Sequence, residues 1–214
     1  MDEAYHMNEQ KKSSNNQEKL QQYHEFFAIE YDFTLNIMPL ADSDVTTFEH
    51  FVSKMPMPFK LASDMVSIDQ AALRPLQALT GITSQLVDFL NHQSQKIDLL
   101  IGYILSQQDE EQHRYQGIKF GGGGVKFSAT TAFKLGQKLE MKLFLLESNC
   151  AVFCFGEVID ITEIDVEGHP QYQHKVIFHF IREDDREVLV RTSLHEQSKQ
   201  LQKLSQLRNQ NTES

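Results

Sequence analysis

The chain has 214 residues, enough for one domain or two small ones, and 40% of its side chains are hydrophobic, enough to build a core. Its 20 Lys and Arg against 30 Asp and Glu leave a net charge of −10, which argues against general nucleic-acid binding, because neutralising phosphates needs a surplus of cations. No apolar run approaches the ~20 residues that span a bilayer, the N-terminal stretch lacks an apolar signal core, and two cysteines cannot make a disulfide framework. The expectation is a cytoplasmic protein with reduced thiols and no membrane insertion.

Residues 1–22 are polar and rich in Asn and Gln, and read as a flexible tail. Residues 23–40 hold a first strand: Phe33, Leu35 and Ile37 alternate with Thr34 and Asn36, and Pro39 stops the ladder. Residues 41–114 read as a helical insertion. Thr46 to Glu49 fits a capping box, and Phe48, Phe51, Val52 and Met55 follow at helical spacing until the Pro56 and Pro58 breaks. Ser67 to Gln70 fits a second capping box, which opens the longest periodic segment in the chain. Written as heptads, its a positions are Leu76, Thr83, Leu90, Ile97 and Ile104, and its d positions are Leu79, Leu86, Gln93, Leu100 and Gln107. Ile82, Phe89 and Tyr103 widen the stripe, and Pro75 and Gly81 weaken its start. From Pro75 to Gln112 such a helix would be a rod of roughly 57 Å. A seam of that length wants partner helices, so Leu76, Leu79, Leu86, Leu90, Ile97, Leu100 and Ile104 are the expected interface of a homo-oligomer.

Residues 115–183 are β-rich. Tyr115 to Phe120 and Val125 to Ser128 flank four glycines, Gly121 to Gly124; Leu139, Met141, Leu143 and Leu145 alternate with more polar neighbours, as do Val176, Phe178 and Phe180. Turns are expected at Glu147–Asn149 and Gly168–Pro170. Residues 184–208 read as a helix with Val190, Leu194, Leu201 and Leu204 on one face and Glu183, Asp184 and Asp185 compensating its N-terminal dipole; residues 209–214 read as a tail. The first strand would be orphaned unless it pairs with the later ones. The simplest fold is therefore α+β: a small antiparallel β-barrel interrupted by a long helical, coiled-coil insertion, with a C-terminal helix.

Nothing in the sequence argues for catalysis. The four glycines lead into a strand with no Ser or Thr after Lys126, so they are not a phosphate loop. The nine histidines fall into no metal-binding spacing, Cys150 and Cys154 are not a CxxC pair, and there is no GxSxG elbow.

Residues 24–40 and 115–205 resemble a PilZ domain. His24 to Ile37 resembles the family's opening segment, Phe120 to Phe127 its glycine turn before an apolar strand, and Gly156-Glu-Val158 with Phe178 to Glu183 its later strands and terminal helix. A helical insertion after the first strand is similar to an atypical subgroup whose heptad helices assemble four chains. The resemblance implies a bacterial, non-catalytic signalling protein in a cyclic di-GMP, motility or biofilm pathway, with itself (as a homotetramer) and a signalling or motility protein as partners. It also implies two ligand motifs, RxxxR before the first strand and [DN]xSxxG at the turn. Here His24 and Ala28 stand where the arginines would be, Lys119 replaces the Asp or Asn, Gly121 replaces the Ser, and only Gly124 matches. The expectation is an adaptor with degenerate motifs and no cofactor. The alternative is a cyclic di-GMP receptor with altered contacts from Arg114, Lys119, Gly121, Gly124 and Lys126. Arg182 and Arg186 have the arginine spacing but follow the last strand.

Overall fold

The computed structural model describes residues 17–41, 47–62, 64, 82–145 and 150–212. In chain order these form α1 (residues 17–25), β1 (Ala28–Pro39), α2 (Phe48–Lys54), α3 (residues 57–62), α4 (Ile82–Ser106), a single 3-10 turn (Glu111–His113), β2 (Arg114–Gly121), β3 (Gly124–Ala129), β4 (Lys138–Leu145), β5 (Cys150–Val166), β6 (His169–Phe180) and α5 (Glu183–Thr212). The six strands close into an antiparallel barrel in the order β1-β2-β3-β6-β5-β4. The first strand is not orphaned: it pairs with β2 on one side and with β4 on the other.

The period-two alternation decides which side chains fill the barrel. Leu35 and Ile37 stand opposite Leu143 and Met141, Val125 opposite Val176, and Met141 opposite Cys154; all are fully buried. Cys154 is sealed among them, and burial pushes its thiol pKa well up, so it packs as a small hydrophobe. On β4 the alternation breaks, because Phe144 is buried on the outer face. There a second cluster forms, in which Phe51 of α2, Met55 just after it, Phe59 of α3 and Leu105 of α4 cover Phe144, Phe153 and Phe155. The sequence alternation marks the inner layer, but only the fold shows that the insertion supplies an outer one.

Several boundaries differ from expectation. α1 takes in the end of the stretch read as a tail and the first residues of the segment 23–40 read as a strand, which starts only at Ala28, since Leu20 and Tyr23 on α1 find Ile159 and Ile177, which point outward from β5 and β6. Lys19 also donates to Glu157 at 2.5 Å, and Lys138 grips the same carboxylate. The first insertion helix is capped by Thr47 rather than Thr46: the Thr47 hydroxyl accepts from His50 N at 3.2 Å. The β5–β6 turn is Glu167–Gly168, both with left-handed φ (55° and 82°), so Pro170 already lies in the strand. α5 extends from Glu183 to Thr212, and its barrel-facing residues are Asp185, Leu189, Ser193 and Glu196, whereas Leu194, Leu201 and Leu204 are exposed. Its three N-terminal acids sit in the first turn as expected. The second capping box and the Glu147–Asn149 turn lie outside the described residues.

His174 is fully buried and stacks on Phe127, with ring centroids 4.8 Å apart. Its Nε2 accepts from the Phe133 N–H at 3.0 Å, which requires an unprotonated nitrogen there. Burial pushes its pKa down, offset only in part by the Tyr172 backbone. The stabilisation that comes from keeping this ring neutral is therefore complete above the unfolded-state value of about 6.5 and is lost as the pH falls below it through the folded pKa. Thermal unfolding of wild type and His174→Phe from pH 7 to pH 5 should show the wild type losing more stability than the variant; equal losses would show that the buried imidazole is not the acid-sensitive element.

Candidate functional site

The described part of α4 is 25 residues, a rod of ~37 Å. It is shorter than the expected Pro75–Gln112 span at its C-terminal end, and Gln107 lies beyond the last turn. The helix stops there because the next residues are captured by the barrel. The Asn36 amide, 3% exposed, donates to Asp109 Oδ1 at 2.8 Å and to the Glu110 carbonyl at 3.2 Å, and its oxygen accepts from Glu110 N at 2.8 Å. Lys142, 7% exposed, donates to Glu110 Oε1 at 2.6 Å and holds that carboxyl below its usual range, while burial pushes the neighbouring Glu140 carboxyl up. Arg114 forks onto Asp109, with Nε to Oδ2 at 3.0 Å and Nη2 to Oδ2 at 2.9 Å. One turn earlier, Leu105 is 1% exposed in the second cluster, with Ile101 packed against it.

This root fixes which face of α4 meets the barrel. Leu105 and Ile101 occupy heptad positions b and e, so the a and d residues turn away. Leu86, Leu90, Ile97, Leu100 (64%) and Ile104 are exposed, and so are Phe89 and Tyr103 (66%) at the g position. The side chains of Leu76 and Leu79 lie outside the described residues. The a and d stripe is thus exposed over the described helix.

The residues named for a ligand do not gather into one site. Lys119 and Lys126 stand opposite each other on β2 and β3. Arg114 begins β2, roughly 20 Å of strand from Gly121, and is spent on Asp109. Gly121 to Gly124 are buried. Their smallness serves close packing: a Cβ on Gly124 would lie 2.1 Å from the Val176 carbonyl, and one on Gly121 2.3 Å from the Phe27 carbonyl. Over Gly122 lie Phe26, in the bend that follows α1, and Val190 of α5. Arg186 donates to the Gly122 carbonyl at 2.5 Å with its guanidinium 5.3 Å from the Phe26 centroid, a contact that sequence reasoning missed. Arg182 is held by Asp64 at 2.8 Å. The chain itself occupies the turn. No cluster of metal-ligating side chains occurs among the described residues, and none of their helices is long and apolar enough to cross a membrane.

Asn36→Ala is expected to cost about 2 kcal/mol, since it strands the Glu110 N–H beside a buried lysine; urea unfolding measures it, and a change below about 0.5 kcal/mol would show that the apolar Leu105 contact alone holds the root.

Comparison with known proteins adds the family. No curated protein matches the chain. Among solved structures, a tetrameric PilZ domain from Xanthomonas campestris, self-assembled via a helical bundle, aligns at 14% identity over 85% of this chain and 95% of that one, with a TM-score of 0.48. MrkH from K. pneumonia aligns at 16% identity over 44% of each chain (TM-score 0.39). The PilZ domain of Escherichia coli YcgR, solved with c-di-GMP, aligns at 14% identity over 45% of this chain and 83% of that one (TM-score 0.37). The PilZ domain family model matches residues 91–194, from the middle of α4 through β2–β6 into α5. Residues 91–194 thus match the PilZ domain family, and that span holds five of the six barrel strands, β2–β6.

Proposed function

We propose that the chain is a non-catalytic, cytoplasmic signalling adaptor that assembles with copies of itself through α4 and passes signals in a cyclic di-GMP, motility or biofilm pathway. The observation that carries this reading is the bare a/d stripe of α4. A rod with Leu86, Leu90, Ile97, Leu100 and Ile104 in water is unstable against any arrangement that buries them, each worth about 2 kcal/mol. Phe89 and Tyr103 at g make the stripe wider than a two-stranded seam needs, which supports four helices over two. Gln93 is a polar d position within the stripe, suited to setting register.

The ligand motifs are read as degenerate for two reasons. The arginine positions hold His24 and Ala28, so the bidentate forks that would grip phosphate and guanine are missing. The glycine turn is filled by Phe26, Tyr23 and Val190 of the same chain. The alternative, a cyclic di-GMP receptor with altered contacts, has in its favour the adjacent Lys119 and Lys126, and it needs α1 to leave its seat.

Two measurements test the reading. Leu90→Lys combined with Ile97→Lys should convert the oligomer to monomers in multi-angle light scattering, with barrel circular dichroism unchanged; an unchanged mass would remove the α4 interface. Calorimetry with cyclic di-GMP should show no binding at micromolar concentrations, and micromolar or tighter binding would replace the adaptor reading with the receptor one.

A further inference from the structure

Three lysines stand side by side on the outer face of the barrel, away from α4. Lys119 of β2 pairs with Lys126 of β3, and Lys126 pairs with Lys175 of β6. Directly paired residues share a face and neighbouring strands lie ~4.8 Å apart, so three ammonium groups fall in a row roughly 10 Å long. Like charges set directly opposite weaken a strand pair, yet here the counter-charges stand only at the two ends. Glu30 of β1 faces Lys119, and Asp160 of β5 accepts from Lys175 Nζ at 2.8 Å. Lys126, in the middle, has cations on both sides and no carboxylate in ion-pair range among the described residues. Alongside runs a second paired row, Gln116, Ser128, Gln173 and Thr162, which carries hydrogen-bonding groups and no charge. On the other side the platform is bounded by α1, where Tyr23 packs on Ile177.

We propose that this platform docks an acidic, extended polypeptide segment of a partner protein. The charge is complementary, and it is local: in a chain of net charge −10 the rest of the surface repels such a segment, which confines it to the lysine row. The two rows contain neither an aromatic ring to stack a base nor an arginine to fork a phosphate. Three lysines are point charges on flexible stems, able to follow carboxylates spaced along an extended chain. The flanking amides and the Ser128 hydroxyl serve its backbone. The site is independent of self-assembly, so an oligomer would present one platform per subunit.

The test uses the full chain and fluorescein-labelled decaglutamate, read by fluorescence anisotropy at about 50 mM salt and again at about 300 mM. Wild type should bind, and should weaken steeply at the higher salt. The triple variant Lys119→Gln, Lys126→Gln, Lys175→Gln should lose roughly tenfold in affinity, whereas Lys54→Gln, Lys134→Gln, Lys203→Gln, made at three exposed lysines elsewhere, should lose less than about twofold. Lys126→Gln alone removes the like-charge oppositions without touching an ion pair, so it keeps the test valid if the triple variant fails to fold; its expected loss is about threefold. No binding by wild type, or an equal loss in the control triple, overturns the proposal. So does cyclic di-GMP binding that depends on the three lysines while decaglutamate fails to compete, which would give the platform to a nucleotide.

Discussion

The structure depends on one strand that must find partners on both sides. β1 is separated from β2 by about seventy residues, yet it closes the barrel by pairing with β2 and β4 together. The cost of so long a connection grows only with the logarithm of its length. Going from a five-residue turn to about seventy-five residues adds roughly 2.4 kcal/mol. Burying Leu35 and Ile37 inside the barrel returns about 2 kcal/mol each, before any ladder hydrogen bond is counted. An insertion of this size is therefore tolerated between β1 and β2, provided that its two ends return to neighbouring strands, and they do.

That arrangement divides the labour within the chain. The near parts of the insertion, α2 and α3, become a second layer on β4 and β5, and the last turn of α4 joins them through Leu105. Beyond this apolar root a polar clamp takes over, with Asn36, Lys142 and Arg114 of the barrel holding Asp109 and Glu110. A clamp of buried or forked polar groups is directional in a way that an apolar contact is not. It orients α4 so that its b and e positions meet the barrel and its a and d positions face away. The barrel holds the core, and the rod carries an exposed apolar stripe.

The opposite end of the barrel is organised by glycine. Four in a row let the β2–β3 turn lie within contact of α1, the bend after it and α5, and Arg186 ties the turn to Phe26. Two aromatic side chains of the same chain, Phe26 and Tyr23, lie against Gly122 and Gly124. Lys119 and Lys126 stand half-buried on the outer face of the sheet with Lys175 beside them.

Much of this was legible in the residues. Alternation along β1 and β4, and along β6 as far as Phe178, marked the inner face of the barrel, whereas Phe180 packs with Phe51 in the outer cluster; the orphaned first strand implied the barrel's closure. The heptads marked the face of α4 that the barrel leaves bare. What was not legible came from contacts between residues far apart in the chain. Leu20, in the stretch read as a tail, and Tyr23, at the start of the segment read as the first strand, join one helix because Ile159 and Ile177 give them a surface. Arg114 was a ligand candidate until Asp109 folded back on it, and Arg186 was notable only for its spacing from Arg182 until the turn brought Gly122 to it. Lys175 was overlooked because its relation to Lys126 exists only in the strand register. Local periodicity, by itself, determined the elements and the side of each that is apolar, because that information is carried by neighbours three, four or two residues apart. Which polar groups meet, which helix covers which strand and which charges accumulate on one face were decided by the closed ring alone, since barrel closure is what brings residues a hundred positions apart into register.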